Sequence, residues 1–230
     1  MSKAVLITGA AGNLGSAVTE RFLHEGYHVI AVVEPRTRHH FPENPNLEVK
    51  EANLFDEDAA RVVVQQAFDR FPTLNAGVLL VGGFAMGNLI RTSYREMEQM
   101  FELNFKSTYN VARPLFLRMQ AQGNGGRLVM IGSRPALEPT AGGADMMGYA
   151  LSKSLVFKLS ELLNVAGAEK NIRSTVVVPS VIDTPTNRAA MPTADFATWV
   201  KPEELAAVIE TACRMDGVSG EAVVRAYGKT

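Results

Sequence analysis

Two residues capable of acid–base chemistry lie four positions apart in the segment Tyr149-Ala-Leu-Ser-Lys153. In a helix, residues at this spacing share one face, so the phenol and the ammonium would lie close together. A free tyrosine has a pKa of about 10 and is a poor base at neutral pH, whereas a neighbouring ammonium favours the phenolate and lowers that pKa. The pair therefore predicts a site of proton transfer.

A glycine-rich turn, Thr8-Gly9-Ala-Ala-Gly12-Asn13-Leu14-Gly15, separates an apolar run from a helical pattern. Glycines at such a junction allow a tight turn and a close approach of the backbone to a pyrophosphate, which then faces the helix N-terminus. A turn without a ligand is the alternative, but the position directly after a buried strand favours nucleotide binding. The residues assigned to the cofactor here are Gly9, Gly12, Asn13, Leu14 and Gly15.

Glu34 ends the second apolar run, about 20 residues beyond the turn, where an acidic side chain can accept hydrogen bonds from the adenosine ribose. Arg36 and Arg38 follow closely and could instead contact a 2′-phosphate. The acid at the strand tip favours NAD(H), and NADP(H) is the alternative.

The elements that must position these residues alternate along the chain. Strands are predicted over residues 4–8, 27–33, 78–81, 127–132, 172–178 and 221–227, and helices follow the signals at Leu14, Asp56, Ser93, Tyr149 and Pro202. This alternation predicts an α/β fold, namely a single-domain Rossmann fold over residues 1–230. Its sheet is doubly wound and largely parallel, with helices on both faces.

Composition narrows the classes of function. The 230 residues carry 23 Lys and Arg against 24 Asp and Glu, a formal charge of −1, which argues against a nucleic-acid partner. The single cysteine and the isolated pair His39-His40 lack the further ligands that a metal site needs, so no metal is predicted. No apolar run approaches the roughly 20 residues that span a bilayer, and the N-terminal segment is too short for a signal peptide. We therefore expect a cytoplasmic protein that acts on a small molecule.

The chain resembles the short-chain dehydrogenase/reductase family over nearly its whole length, because the glycine turn, Asn104, Ser133, Tyr149 and Lys153 occur in the family's order. The resemblance implies an NAD(P)(H)-dependent oxidoreductase that interconverts a carbonyl and an alcohol by hydride transfer. In the family the tyrosine gives or takes the proton at the substrate oxygen, and the lysine also holds the nicotinamide ribose. Ser133 would bond the substrate oxygen, and Asn104 would support a water linking Lys153 to solvent.

Further cofactor contacts are implied only by this resemblance. Asn53 and Leu54 stand where the family usually has an aspartate that accepts from the adenine amine, and an amide oxygen can still accept. Gly82 and Gly83 replace part of the family's Asn-Asn-Ala-Gly segment. Pro179, Ile182 and Thr184 would lie against the nicotinamide carboxamide, with Ser180 replacing a glycine and Asn13 replacing another in the first turn.

Residues 80–88 and 183–199 resemble the corresponding segments of quinonoid dihydropteridine reductases. Those reductases generally lack the active-site serine, whereas this chain has Ser133. Pterin reduction is therefore the alternative activity. A dinucleotide-binding sensor without turnover is a second alternative, against which the complete set of acid–base residues argues.

Residues 183–200 are predicted to form a substrate lid, because Met191, Phe196 and Trp199 are large apolar side chains in a long loop. Burial of these side chains against the last helix is the alternative. The family commonly pairs subunits through the long helices that here begin near Ser93 and Tyr149, which implies a homodimer or homotetramer.

Overall fold

Seven parallel strands form one sheet in the computed structural model, which describes residues 3–215 and 222–228. In chain order the strands are β1 (Ala4–Thr8), β2 (His28–Val33), β3 (Leu47–Glu51), β4 (Ala76–Leu79), β5 (Gly126–Ile131), β6 (Ile172–Pro179) and β7 (Ala222–Ala226). Their spatial order is β3-β2-β1-β4-β5-β6-β7. The order reverses between β1 and β4, and sheets of this kind bind ligands at the carboxyl ends of the strands beside that point.

Helices cover both faces of the sheet. They are α1 (Asn13–His24), α2 (Glu57–Arg70), α3 (Tyr94–Phe101), α4 (Ser107–Gln122), α5 (Arg134–Leu137), α6 (Met147–Gly167), α7 (Pro185–Ala190) and α8 (Pro202–Arg214). One face buries α1 and α8 around Phe22 and Ile209. The other face buries α2, α4 and α6 around Leu115 and Val156. The predicted doubly wound Rossmann arrangement is therefore confirmed.

Two helix starts follow directly from the sequence. The Asp56 carboxylate accepts a hydrogen bond from the Ala59 amide at 2.8 Å and caps α2. Ser93 and Glu96 form a reciprocal capping box, in which the Ser93 amide donates to the Glu96 carboxylate at 2.8 Å and the Glu96 amide donates to the Ser93 hydroxyl at 3.3 Å. Both contacts are local, so the sequence alone determines them.

Three elements were missed from the sequence, namely β3, α7 and the single-turn helix α5. Strand β3 lies at one edge of the sheet and is only half-buried, because Glu48 and Lys50 alternate with Leu47 and Val49. Its apolar signal is therefore weaker than that of a central strand. Helix α7 lies inside the segment expected to be a loop, and the Thr184 hydroxyl caps it by accepting from the Asn187 amide. The predicted start of β7, Glu221, lies outside the described residues.

Candidate active site

The glycine turn joins β1 to α1 at the central reversal of the sheet. Gly9 has a φ of +63°, and a Cβ atom on Gly15 would lie 2.1 Å from the Gly9 carbonyl oxygen. Larger residues would therefore break the turn. Gly12 caps α1 without any side-chain hydrogen bond, so the first amides of the helix remain available to an anion. The turn fits a pyrophosphate.

The adenosine end lies where the neighbouring strands β2 and β3 finish. Glu34 directly follows β2 and is exposed, and Asn53 and Leu54 follow β3. The Thr37 amide donates to the Glu34 carbonyl at 3.0 Å, which closes a turn that places Arg36 at a φ of +66°. An acid and two arginines therefore share this loop, as the sequence indicated.

Gly82 and Gly83, in the segment after β4, have no room for side chains. A Cβ atom on Gly82 would lie 2.7 Å from Asn104 Oδ1 and 3.0 Å from Lys153 Nζ. The amide of Gly83 donates to the same Asn104 oxygen at 2.9 Å. The two glycines therefore let the backbone pack directly against Asn104 and Lys153, and their contact with a cofactor stays a prediction.

Asn104 is completely buried in a π-helical turn, Glu102–Lys106, that joins α3 to α4. Besides accepting from Gly83, its side chain donates to the Ser152 hydroxyl at 3.0 Å. Single π turns inside α-helices are frequent at functional sites. The side chain thus ties the β4 segment to α6, and a water-mediated role toward Lys153 stays a prediction.

Lys153 is buried on α6, and its ammonium donates to the carbonyl of Ile131 at 2.9 Å, at the end of β5. Burial disfavours the charged form and lowers the pKa of Lys153 to about 8. Tyr149 lies one turn earlier, and its hydroxyl end is surrounded by protein. Burial raises the pKa of Tyr149, an effect that the nearby Ser133 hydroxyl partly offsets.

The pKa of Tyr149 therefore corrects the expectation drawn from the sequence. Lysine at this spacing was expected to lower that pKa, but the burial of the phenol dominates and raises it. The Lys153 ammonium is directed to the Ile131 carbonyl. Tyr149 consequently carries its proton at neutral pH, as a general acid requires.

Ser133 follows β5 and is buried, at 3% exposure. Its hydroxyl oxygen makes no hydrogen bond within the part of the chain that the structure describes, although it lies near enough to Tyr149 to affect the pKa of the phenol. A buried hydroxyl without a partner costs free energy. The Ser133 hydroxyl therefore lies beside the Tyr149 phenol and retains unused hydrogen-bonding capacity.

The segment after β6 closes the other side of the site. Thr184 is buried at the start of α7, and the Asn187 amide side chain donates to the Ile182 carbonyl at 2.8 Å. Ser180, which replaces the usual glycine, accepts from the Gly228 amide at 3.0 Å. The serine therefore anchors the C-terminal segment beside Pro179, and the local backbone is held from both sides.

Comparison with known proteins gives the family. The family model for short chain dehydrogenases matches residues 3–195. This chain belongs to the short-chain dehydrogenase family. It is therefore an NAD(P)-dependent oxidoreductase.

Relatives of this short-chain dehydrogenase span several activities. It is 28% identical to an acetoacetyl-CoA reductase of Acinetobacter sp. (strain RA3849), covering 80% of this chain and 75% of that protein. It is 26% identical to a dihydropteridine reductase of Dictyostelium discoideum, covering 90% of this chain and 85% of that protein. The structure of ElxO with NADP bound superimposes with a TM-score of 0.86 at 22% identity, covering 98% and 97% of the two chains, and shows the same fold.

The segment predicted as a lid of this short-chain dehydrogenase is internally packed. Arg188 forms a bidentate ion pair with Asp183, with one contact at 2.7 Å, and its guanidinium lies 4.7 Å from the centre of the Phe196 ring. Phe196 in turn contacts Trp199 at 4.8 Å between ring centres. This ion pair holds the pKa of the Asp183 carboxyl below its usual range.

The three apolar residues of that segment differ in burial. Met191 is 38% exposed and Phe196 is half-buried, whereas Trp199 is only 8% exposed. The Val200 amide donates to the Val181 carbonyl at 3.0 Å, so the chain returns to the sheet beside Trp199. Burial, the alternative considered from the sequence, therefore describes Trp199, and Met191 and Phe196 remain the candidates for substrate contact.

Two residues at this site were missed from the sequence. Phe84 packs edge-on against the Tyr149 ring at 5.1 Å and is otherwise exposed. Ser152 fixes Asn104 and donates to the Tyr149 carbonyl at 2.8 Å. Phe84 lies in the segment that resembles pterin reductases, which is a usable signal. Nothing local distinguishes Ser152 from an ordinary helix serine.

Residues 3–215 and 222–228 contain no cluster of three or more histidine, cysteine, aspartate or glutamate side chains arranged to bind a metal ion. Over the same residues, no helix combines the length and apolar character needed to cross a bilayer.

Proposed function

We propose that the protein transfers a hydride between NAD(P)(H) and a small-molecule carbonyl or alcohol, with Tyr149 as acid and base. The observation that carries the proposal is the buried, unpartnered Ser133 hydroxyl beside the protonated Tyr149 phenol. A buried hydroxyl with unused hydrogen-bonding capacity beside a protonated phenol suits a substrate oxygen. In reduction, Tyr149 gives its proton to that oxygen while Ser133 donates a hydrogen bond to it.

The residues present fit a dinucleotide, since the glycine turn leads into α1 with no side-chain cap, so the first amides of that helix remain available to a pyrophosphate. When bound, the nicotinamide supplies or accepts the hydride. In our proposal Lys153 holds the nicotinamide ribose and restores the Tyr149 proton, Thr184 and Ile182 hold the carboxamide, and the amides of α1 bind the pyrophosphate. Pro179, Gly83, Asn53 and Leu54 line the remaining groove.

Turnover with a panel of carbonyl, alcohol and pterin substrates, using NADH and NADPH, tests the proposal. Oxidation or reduction of any panel member at a rate that saturates with substrate supports it. Stabilisation of the fold by dinucleotide without turnover of any member would favour the dinucleotide-sensing alternative.

Dihydropteridine reduction is a second candidate, supported by the 26% identity to the Dictyostelium discoideum enzyme and by the edge-on contact of Phe84 with Tyr149. An aromatic side chain at this position offers a surface to a flat substrate. Ser133 distinguishes the two candidates. Ser133→Ala should damage reduction of a simple carbonyl and leave pterin reduction nearly unchanged, because pterin reductases generally function without this serine.

Glu34 should make NADH the preferred cofactor. An exposed carboxylate at the end of β2 can accept from the ribose hydroxyls and repels a 2′-phosphate, so we expect NADH to bind about tenfold or more tightly than NADPH. Titration calorimetry with the two cofactors measures the ratio. Glu34→Ser should narrow the preference, and the double variant Arg36→Ala, Arg38→Ala should widen it. Equal dissociation constants in the wild-type protein would show that the arginines decide the specificity.

Met191 and Phe196 are proposed to contact the substrate. Their replacement by alanine should raise KM for the substrate several-fold, because an apolar wall is lost, while the dissociation constant of the cofactor changes little. Met215→Ala is a matched control, since Met215 has the same 38% exposure as Met191 and directly follows α8. Loss of thermal stability with normal kinetics would instead assign both side chains to packing.

We also propose a cytoplasmic homodimer or homotetramer. The outer face of α6 exposes Leu151, Leu155, Leu162 and Val165, and α4 exposes Leu117. An apolar row on a helix that faces away from the core is typical of a contact surface. Light scattering at micromolar concentration should give a mass of two or four chains, and Leu162→Glu should reduce it. A wild-type monomer would contradict this.

A further inference from the structure

The short loop after β3, residues 52–56, is held by a set of backbone and side-chain hydrogen bonds. The Ala52 amide donates to the Val33 carbonyl at 3.0 Å, which joins the loop to the end of β2. Asn53 closes a turn, because its side-chain oxygen accepts from the Phe55 amide at 3.1 Å and its carbonyl accepts from Asp56 at 3.1 Å. The amide of Leu54 donates to none of the residues that the structure describes. The Leu54 amide is therefore available as a donor.

Asn110, on α4, makes a hydrogen bond that holds this loop against the helix. Its side-chain amide donates to the Leu54 carbonyl at 3.0 Å, a buried hydrogen bond between residues 56 positions apart. Asn110 and Leu54 are both buried, at 6% exposure each. The Leu54 side chain and carbonyl are thus both held in place, whereas its amide has no hydrogen-bond partner among the described residues.

The π turn that precedes α4 also contributes a side chain to the nicotinamide end of the proposed groove. Asn104, six residues earlier in the π turn, accepts from the Gly83 amide beside Lys153. Asn110 contacts the loop of residues 52–56. That loop lies beside Glu34, because the Ala52 amide donates to the carbonyl of Val33, the residue before Glu34. One continuous helix therefore carries one amide side chain for each end of the proposed dinucleotide groove.

We propose that Asn110 is a positioning residue for the adenine. By holding the Leu54 carbonyl, it sets the orientation at which the Leu54 amide meets an acceptor of the adenine ring. Asn110 does not touch the cofactor, and its effect is confined to the adenosine end. The inference rests on the proposed function, because it assumes that a dinucleotide occupies the groove.

The test separates the two halves of the cofactor by using AMP and nicotinamide mononucleotide as probes. Asn110→Leu removes the donor, and Asn110→Asp keeps the shape but replaces the donor by an acceptor. Both variants should weaken binding of AMP and NADH about five- to tenfold, the range expected for one lost hydrogen bond. Binding of nicotinamide mononucleotide should stay unchanged, as should turnover supported by its reduced form.

Asn164→Leu is the matched control. Asn164 is also a buried helix asparagine, and its side chain donates to the Ser174 carbonyl at 2.8 Å and accepts from the Ser174 amide at 2.7 Å. Its replacement removes comparable buried hydrogen bonds away from the adenosine loop. This variant should lose stability without changing the ratio of AMP to nicotinamide mononucleotide affinity.

A measurement on the wild-type protein decides the matter even if the variants fail to fold. The side-chain amide resonances of Asn110 should shift on titration with AMP and not with nicotinamide mononucleotide. Unchanged resonances with saturating AMP, or variants that weaken both probes equally, would overturn the positioning role while cofactor binding stood. A wild-type protein that bound neither AMP nor NADH would overturn the proposed function itself.

Discussion

Replacing Tyr149 by phenylalanine should lower kcat by at least about 100-fold and leave the dissociation constant of the cofactor within a few-fold of the wild-type value. General acid–base catalysis contributes roughly 10²–10⁴-fold, and the phenol is the group placed to supply it here. The ring would keep its packing against Phe84, so the loss would be confined to the proton. Steady-state rates with the best substrate of the panel, together with calorimetric titration of the cofactor, measure both quantities.

Tyr109→Phe is a suitable control for that variant, because Tyr109 is an exposed tyrosine on α4. It should retain the wild-type rate. If Tyr149→Phe kept more than a few per cent of the wild-type kcat, the proton would come from another group and our assignment of Tyr149 would be wrong.

Lys153 should make the stability of the protein rise with pH. Its pKa is about 8 in the folded protein against a value of 10.5 when exposed, so the unfolded chain holds one more proton between these limits. The free energy of unfolding therefore increases with pH through this window, by up to about 3 kcal/mol. Below pH 8 both states are protonated and above about pH 10.5 both are neutral, so the contribution is constant outside the window.

Comparison with Lys153→Met isolates this contribution. The difference in unfolding free energy, wild-type minus variant, should rise by about 3 kcal/mol between pH 7 and pH 11. Denaturant unfolding at a series of pH values measures it, and titration of groups common to both proteins cancels in the difference. A constant difference for Lys153→Met would show that the ammonium is not desolvated.

Enzyme kinetics and cofactor binding test the role of Lys153 independently of its effect on stability. Lys153→Met should weaken cofactor binding and reduce the rate together, because the proposal gives Lys153 two tasks. This combined loss distinguishes it from Tyr149→Phe, which should affect the rate alone.

Short-range sequence patterns predicted most of the buried strands, the glycine turn and the helix caps. The buried strands β1 and β2 appear as nearly continuous apolar runs because helices cover them on both faces. The glycine turn was predictable because Gly9 needs a positive φ and Gly15 has no space for a side chain. The caps at Asp56 and Ser93 were predictable because their partners lie within three residues.

Tertiary structure decided the features that depend on distant neighbours. Edge position explains why β3 was missed, since half-burial leaves its charged residues in the pattern. The pKa of Tyr149 rises because surrounding protein desolvates the phenol, whereas sequence spacing showed only the nearby lysine. Trp199 is buried by the return of the chain at Val200, which the composition of the loop could not indicate.

At the candidate site, the sequence identified the residues, and the tertiary structure determined which of them are in contact. Residue types and order marked Asn104, Ser133, Tyr149 and Lys153, because the family resemblance depends on them. The sequence did not reveal that Asn104 joins Gly83 to Ser152 or that Asn110 reaches the Leu54 carbonyl. Such contacts connect residues 21 to 56 positions apart, and only the packing of the helices on the sheet brings these atoms within hydrogen-bonding distance.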